Sequence, residues 1–149
     1  MGQEILGSGR GIQQGDPLGP LLFALAIHEM IISSKAETEA AHPDKLDFAV
    51  FFLDDGVVAG HHDAVFFFFN SLLRKLSNVG LSANLNKCEA VVAKTGERPH
   101  WLTLFQGWKH TTHGSFKLLG APIGPVPHCK DILSDRIKNS PSCIPDWEV

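Results

Sequence analysis

Phe51-Phe52-Leu53-Asp54-Asp55-Gly56-Val57-Val58 is the stretch on which the reading of the fold depends. The apolar run Phe48 to Leu53 leads into two adjacent carboxylates, a glycine follows, and a second apolar run extends from Val57 to Ala59. β-Branched and aromatic residues on either side of a turn-forming Asp-Gly pair read as strand, tight turn, strand. The carboxylates are therefore expected at the tip of a hairpin, beside a buried sheet but open to solvent. Two anions so close repel each other unless a cation or a hydrogen-bond donor compensates. Mg²⁺ is suited to this, because it takes one or two carboxylates together with substrate phosphates. Asp and Gly also dominate ordinary turns, and these eight residues alone are accounted for more simply by a plain turn.

Upstream, Met1 to Gly11 is rich in glycine and lacks helical periodicity, which reads as an irregular lead-in. Gln13-Gln14-Gly15-Asp16-Pro17-Leu18-Gly19-Pro20 is dense in residues that need or impose special backbone angles. Pro20 suits the first turn of a helix, where its missing N–H does no harm. The apolar run from Leu21 predicts a largely buried helix to Ile32, and the polar stretch Ser33 to Asp44, with Pro43, predicts a connection. Downstream of the hairpin, Asp63 is a plausible N-cap. Val65, Phe66, Phe69, Leu72, Leu73, Leu76 and Val79 recur at three- and four-residue steps, and Gly80 suits the position just past a helix end. The four phenylalanines Phe66 to Phe69 cannot all face one side, so either some contact an absent neighbour or they form an exposed apolar patch.

Leu81 to Leu85 and Glu89 to Ala93 read as short strands. Residues 94–115 are poorly patterned, with Trp101, Leu102, Leu104, Phe105 and Trp108 as candidate core contacts. Phe116 to Gly124 reads as a strand, a Gly- and Pro-bearing turn and the stub of another strand. Ile132, Leu133 and Ile137 support one short helix, and the remainder reads as a poorly ordered tail from residue 127 to 149. The resulting expectation is an α+β fold, an antiparallel sheet with two helices packed on one face, occupying residues 1–126.

The chain has 149 residues, 44% of them apolar and 19% charged, which suits a globular domain with a real core. No run of 18 apolar residues and no charged-then-apolar leader is present, so neither a membrane span nor a signal peptide is expected. The odd set Cys88, Cys129 and Cys143 suits a reducing, intracellular compartment. A formal net charge of −3 argues against strong unaided binding to nucleic acid, which requires clustered Lys and Arg. His110, His113, Cys129 and Cys143 are too loosely spaced, without a Cys-x-x-Cys pair, to read as a zinc site. His61 and His62 read as residues flanking a helix start, with no chemistry of their own.

Several of these segments, taken together, resemble the reverse transcriptases of non-LTR (LINE-like) retrotransposons. Gly11-Ile12-Gln13-Gln14-Gly15-Asp16-Pro17-Leu18-Gly19-Pro20-Leu21-Leu22-Phe23 is similar to that family's glycine- and proline-rich motif. Phe52-Leu53-Asp54-Asp55 resembles its aromatic-x-Asp-Asp turn, with Phe52 where tyrosine is more usual. Gly80-Leu81-Ser82-Ala83-Asn84-Leu85-Asn86-Lys87-Cys88-Glu89 resembles its Gly-Leu…Asn…Lys segment, and Leu118-Leu119-Gly120-Ala121-Pro122-Ile123-Gly124 its primer-side turn.

The resemblance implies a partial polymerase palm whose family activity is RNA-directed DNA polymerisation. It implies Mg²⁺ held by Asp54 and Asp55, and an RNA or DNA template with primer and a deoxynucleoside triphosphate as partners. Gln14, Gly15 and Gly19 would lie beside nucleotide and template, with Phe52 alongside the metal ligands. Lys87 would neutralise or protonate the departing pyrophosphate, and Leu119 and Gly120 would brace the primer. The family's further catalytic carboxylate belongs to a strand upstream of the Gln-Gly motif, and Glu4 is the sole acid before Arg10, outside any such strand. The chain is therefore expected to be inactive alone and to bind nucleic acid weakly. Two further readings are a non-enzymatic retroelement remnant and an interaction module docking through the Phe66 to Phe69 surface.

Overall fold

The computed structural model of the chain describes residues 15–93, 99–112 and 114–139. Packing divides the chain into two compact units, Met1–Ala83 and Asn84–Val149.

In the first unit, helix α1 spans Gly19–Ala41, strand β1 Leu46–Phe52, strand β2 Asp55–Gly60 and helix α2 His62–Asn78. Pro20 lies in the first turn of α1, as expected. The helix nevertheless runs well past Ile32. Its polar second half is retained because small hydroxyls bond back along the helix and across to α2. Thr38 Oγ1 donates to the Ser34 carbonyl at 2.7 Å, and the Ser34 hydroxyl stands 3.2 Å from that of Ser71 on α2. Ser34 and Thr38 are fully buried and Ser71 nearly so. Glu37 closes this seam, accepting from Ser71 Oγ at 2.5 Å and pairing with Lys75 at 2.8 Å and Arg74 at 3.3 Å. The hydrogen bonds from Lys75 and Ser71 hold the Glu37 carboxyl below its ordinary value of 4.5, the nearby Lys75 and Arg74 charges assisting.

The amino-terminal half of α1 departs from expectation in the other direction: Leu21, Leu22 and Leu25 are exposed rather than buried. The apolar core of the unit is Ile27, Ala64, Phe68 and Leu72. Helix α2 ends as its sequence predicts. Gly80 takes φ 78°, its N–H bonds to the Ser77 carbonyl at 3.0 Å, and the Leu81 N–H reaches back to Leu76 at 3.0 Å. That paired arrangement is a Schellman cap. It also removes the expected strand at Leu81 to Leu85, because Leu81 is committed to closing the helix.

Phe66 to Phe69 do not form one exposed patch. Phe68 is fully buried with its ring 6.3 Å from that of Phe51 on β1. Phe67 is 37% exposed and meets the His42 ring edge-on at 5.3 Å.

The second unit contains strands β3 (Glu89–Val91), β4 (Lys109–Thr111), β5 (Phe116–Leu118) and β6 (Ala121–Ile123), and helix α3 (Val126–Asn139). Leu102 and Phe105 are buried, with Trp101 and Trp108 set edge-on against Phe105, whereas Leu104 is 37% exposed and outside the core. The single antiparallel sheet expected from sequence is replaced among the described residues by three two-stranded ribbons. β1–β2 and β5–β6 are antiparallel and β3–β4 is parallel. β3 to β6 are three residues each, too short to build a wide sheet. The architecture is mixed α+β.

Candidate active site

The β1–β2 hairpin is closed by Leu53 and Asp54, with Phe52 paired to Asp55 and Phe51 to Gly56. The turn thus lies two residues before the Asp55-Gly56 pair that the sequence suggested. Leu53 takes φ 54°, the left-handed angle that primed hairpin turns demand at their first position and that a bulky residue adopts only under strain. Gly56 serves a different purpose: a Cβ there would stand 2.5 Å from Phe51 Cδ1, so the missing side chain lets the Phe51 ring lie across the ribbon toward Phe68.

Cross-strand partners share a face. Ala49 with Val58 and Phe51 with Gly56 therefore form one face, which is the one against Phe68 and the helices. Phe48 with Ala59, Val50 with Val57 and Phe52 with Asp55 form the other. That second face is open: Val50 is 61% and Phe52 63% exposed. Phe68 of α2 packs on the first face, and the second stays bare. Asp55 stands at the end of an uncovered apolar stripe, and Asp54 beside it occupies the turn.

Both carboxylates are exposed, and among the described residues neither has an ion-pair or side-chain hydrogen-bond partner. Hard carboxylate oxygens left without a protein cation suit Mg²⁺, which prefers oxygen ligands and keeps several waters. Among the described residues no third His, Cys, Asp or Glu joins them; the one such cluster is His61, His62 and Asp63 at the start of α2.

Gly15 takes φ 95°, with open space where a Cβ would be, so its backbone conformation is one that glycine alone adopts readily. Gly19 is buried as the first residue of α1. Gln14 lies outside the described residues. Sequence reasoning missed Asp16, whose Oδ1 accepts the Leu18 N–H at 2.9 Å while its carbonyl accepts Gly19 N–H at 3.0 Å, fixing the entry to α1. The signal was legible, since Asp before Pro is a turn former that bonds the backbone two residues on.

In the second unit, Lys87 ends a 3-10 turn, Leu85–Lys87, that the Asn84 side chain caps through the Asn86 N–H at 3.2 Å. Lys87 is exposed and makes no ion pair among the described residues. Burial pushes the neighbouring Cys88 thiol above its ordinary value. Leu119 and Gly120 form the tip of the β5–β6 hairpin, with φ 47° and 81°, and Leu119 is largely exposed. Two left-handed central residues are the mark of a type I′ turn. His110 bonds the Phe105 carbonyl at 2.8 Å and Cys129 bonds backbone carbonyls of Pro122 and Gly124, so both are engaged elsewhere than in a shared metal site. His113 and Cys143 lie outside the described residues.

Two adjacent exposed carboxylates at the tip of the β1–β2 hairpin are an oxygen donor set of the kind a hard divalent cation takes. The family profile "Reverse transcriptase (RNA-dependent DNA polymerase)" matches residues 3–123, and the chain belongs to that family. It is also similar to the "Retrovirus-related Pol polyprotein from type-2 retrotransposable element R2DM" of Drosophila melanogaster, at 35% identity over 86 residues. That match covers 57% of this chain and 8% of the length of the relative. No solved structure matches the chain. Among the described residues no helix is long and apolar enough to cross a membrane.

Proposed function

We propose that the chain is a partial polymerase palm from a non-LTR retrotransposon reverse transcriptase, with Asp54 and Asp55 as its metal-binding carboxylates. The observation that carries this reading is the hairpin tip itself: two adjacent, exposed carboxylates without a protein partner among the described residues, at the end of an open apolar face. Mg²⁺ bound there would supply the charge that activates a primer 3′-oxygen and clamps the transferred phosphate.

The chain's own residues contribute position. The strained Leu53 turn and the Phe51–Phe68 contact fix the direction of the tip, and Phe52 flanks Asp55 with an exposed ring. Gln14, Gly15 and Gly19 would approach nucleotide and template, Lys87 would meet the leaving pyrophosphate, and Leu119 and Gly120 would brace a primer. The partners are a template with primer and a deoxynucleoside triphosphate, in an intracellular setting. Binding by this chain would be weak, since its net charge is −3.

Among the described residues no third acid joins Asp54 and Asp55, which would leave Mg²⁺ largely hydrated and forgo transition-state stabilisation of about 3 kcal/mol or more. The 149-residue chain is therefore inactive alone. Primer extension tests this. The chain should give no product with Mg²⁺ or Mn²⁺, and fusing the upstream strand and fingers of a related enzyme ahead of Gly9 should restore synthesis. Asp54→Asn should then abolish it and Lys87→Ala should slow it. Extension by the unfused chain, or a folded but inert fusion, would refute the proposal.

A further inference from the structure

We infer that His61, His62 and Asp63 form a second, chemically distinct metal site, selective for a borderline transition ion of the zinc class. Each residue offers one donor atom, and the three donors lie within 4.8 Å of one another. His61 Nδ1 is 3.6 Å from Asp63 Oδ2 and His62 Nε2 is 3.5 Å from Asp63 Oδ1. These separations are too long for good hydrogen bonds. They match the spacing of neighbouring ligands around one tetrahedral ion, since two donors each about 2.1 Å from zinc stand about 3.4 Å apart. The two imidazole rings are already gathered, with centroids 4.1 Å apart and planes tilted by 34°. His61 and Asp63 are about half exposed, so small side-chain rotations can close the triad and water can complete the shell.

The backbone supports this arrangement independently of any ion. The His61 N–H donates to the Lys45 carbonyl at 2.7 Å, and the His61 carbonyl accepts the Val65 N–H at 3.0 Å in the first turn of α2. The donor set also decides which ion binds. Imidazole suits zinc, copper and nickel, whereas Mg²⁺ wants oxygen ligands in an octahedral shell. The positive end of the α2 dipole opposes any cation here, and Asp63 in the first turn offsets it. A weakly ligated hard ion is therefore disfavoured, while two imidazoles with the Asp63 carboxylate suit a borderline one. The site lies at the base of the β1–β2 hairpin, the opposite end from Asp54, so an ion bound there would brace the passage from β2 into α2.

The test is residue-resolved. ZnCl₂ is titrated into the full 149-residue chain while the ring nitrogens of all eight histidines are followed by ¹H–¹⁵N NMR, with MgCl₂ as a parallel titrant. One equivalent of zinc per chain should shift the His61 and His62 rings before the other histidines, and MgCl₂ at the same concentration should leave both unmoved. Asp63→Asn should weaken zinc binding about tenfold or more, and His61→Ala with His62→Ala should abolish the response. Retained α2 amide shifts will confirm that each variant folds. Zinc going first to another histidine or to a cysteine would overturn the inference, as would one ion per two chains or an unchanged affinity in Asp63→Asn.

Discussion

Replacing Phe68 with alanine tests which member of the Phe66 to Phe69 run holds the first unit together. Phe68 is fully buried on α2, against Ile27, Ala64 and Leu72 in the same core and with its ring 6.3 Å from Phe51. Removing a fully enclosed phenyl ring costs about 3–5 kcal/mol, the lost transfer free energy together with the cavity left behind. Domains of this size have about 5–15 kcal/mol in total, so Phe68→Ala should leave the unit near its unfolding threshold. Phe67, one residue earlier, is 37% exposed and touches the His42 ring edge-on. Phe67→Ala forfeits one aromatic pair and part of a ring's burial, about 1 kcal/mol. The readout is urea unfolding followed through the exchange protection of α2 amides, because Trp101 and Trp108 belong to the other unit. At a slope of about 2 kcal/mol per molar urea, Phe68→Ala should lower the midpoint by about 2 M and Phe67→Ala by about 0.5 M. Equal shifts, or a larger shift for Phe67→Ala, would refute the packing described for α2.

Gly60→Ala should destabilise the hairpin base by about 1–3 kcal/mol. The added Cβ meets the Lys45 carbonyl and stands 2.9 Å from Leu46 Cα, and the backbone there has φ 151°; thermal unfolding will show it. Glu37 makes the α1–α2 seam sensitive to acid. Its folded pKa lies below 4.5, so its stabilising contribution is complete above that value and is lost as pH falls through the lower folded value. Glu37→Gln should flatten the stability profile across that acidic window relative to the wild type. The open face of the ribbon and the exposed leucines of α1 should drive self-association, and a clean monomer by analytical ultracentrifugation at about 30 μM would contradict this.

Much of the first unit was legible in the sequence because its signals were local. Proline in the first turn of α1, the three- and four-residue spacing of α2 and the glycine that ends it are each decided by neighbouring residues. The hairpin was legible too, but the turn lies two residues before the Asp-Gly pair, and Gly56 instead gives room to the Phe51 ring across the ribbon. The second half of α1 was illegible for the opposite reason. Ser34, Thr38 and Glu37 look like a polar connection until Ser71 and Lys75, more than thirty residues away, satisfy them. Pairing between distant short segments decides β3 and β4, and no periodicity survives in three-residue strands. The carboxylate pair and Gly15 could be placed at turns from sequence, because Asp and Gly are turn formers whatever lies far from them. The three donors at the start of α2 could not, since adjacent histidines acquire meaning only when their rings are seen to converge on Asp63.

The most direct measurement of the central claim is a Mg²⁺ titration of the ¹⁵N-labelled chain, reading backbone amide shifts residue by residue. Asp54 and Asp55 as metal ligands predict shifts concentrated at Leu53, Asp54, Asp55 and Gly56, saturating only at about millimolar Mg²⁺ because the ion stays mostly hydrated. The combined variant Asp54→Asn, Asp55→Asn should erase those shifts while leaving the rest of the spectrum in place. Shifts scattered over other acidic residues, or a hairpin tip that responds identically after both substitutions, would contradict the assignment of this turn as the metal-binding centre.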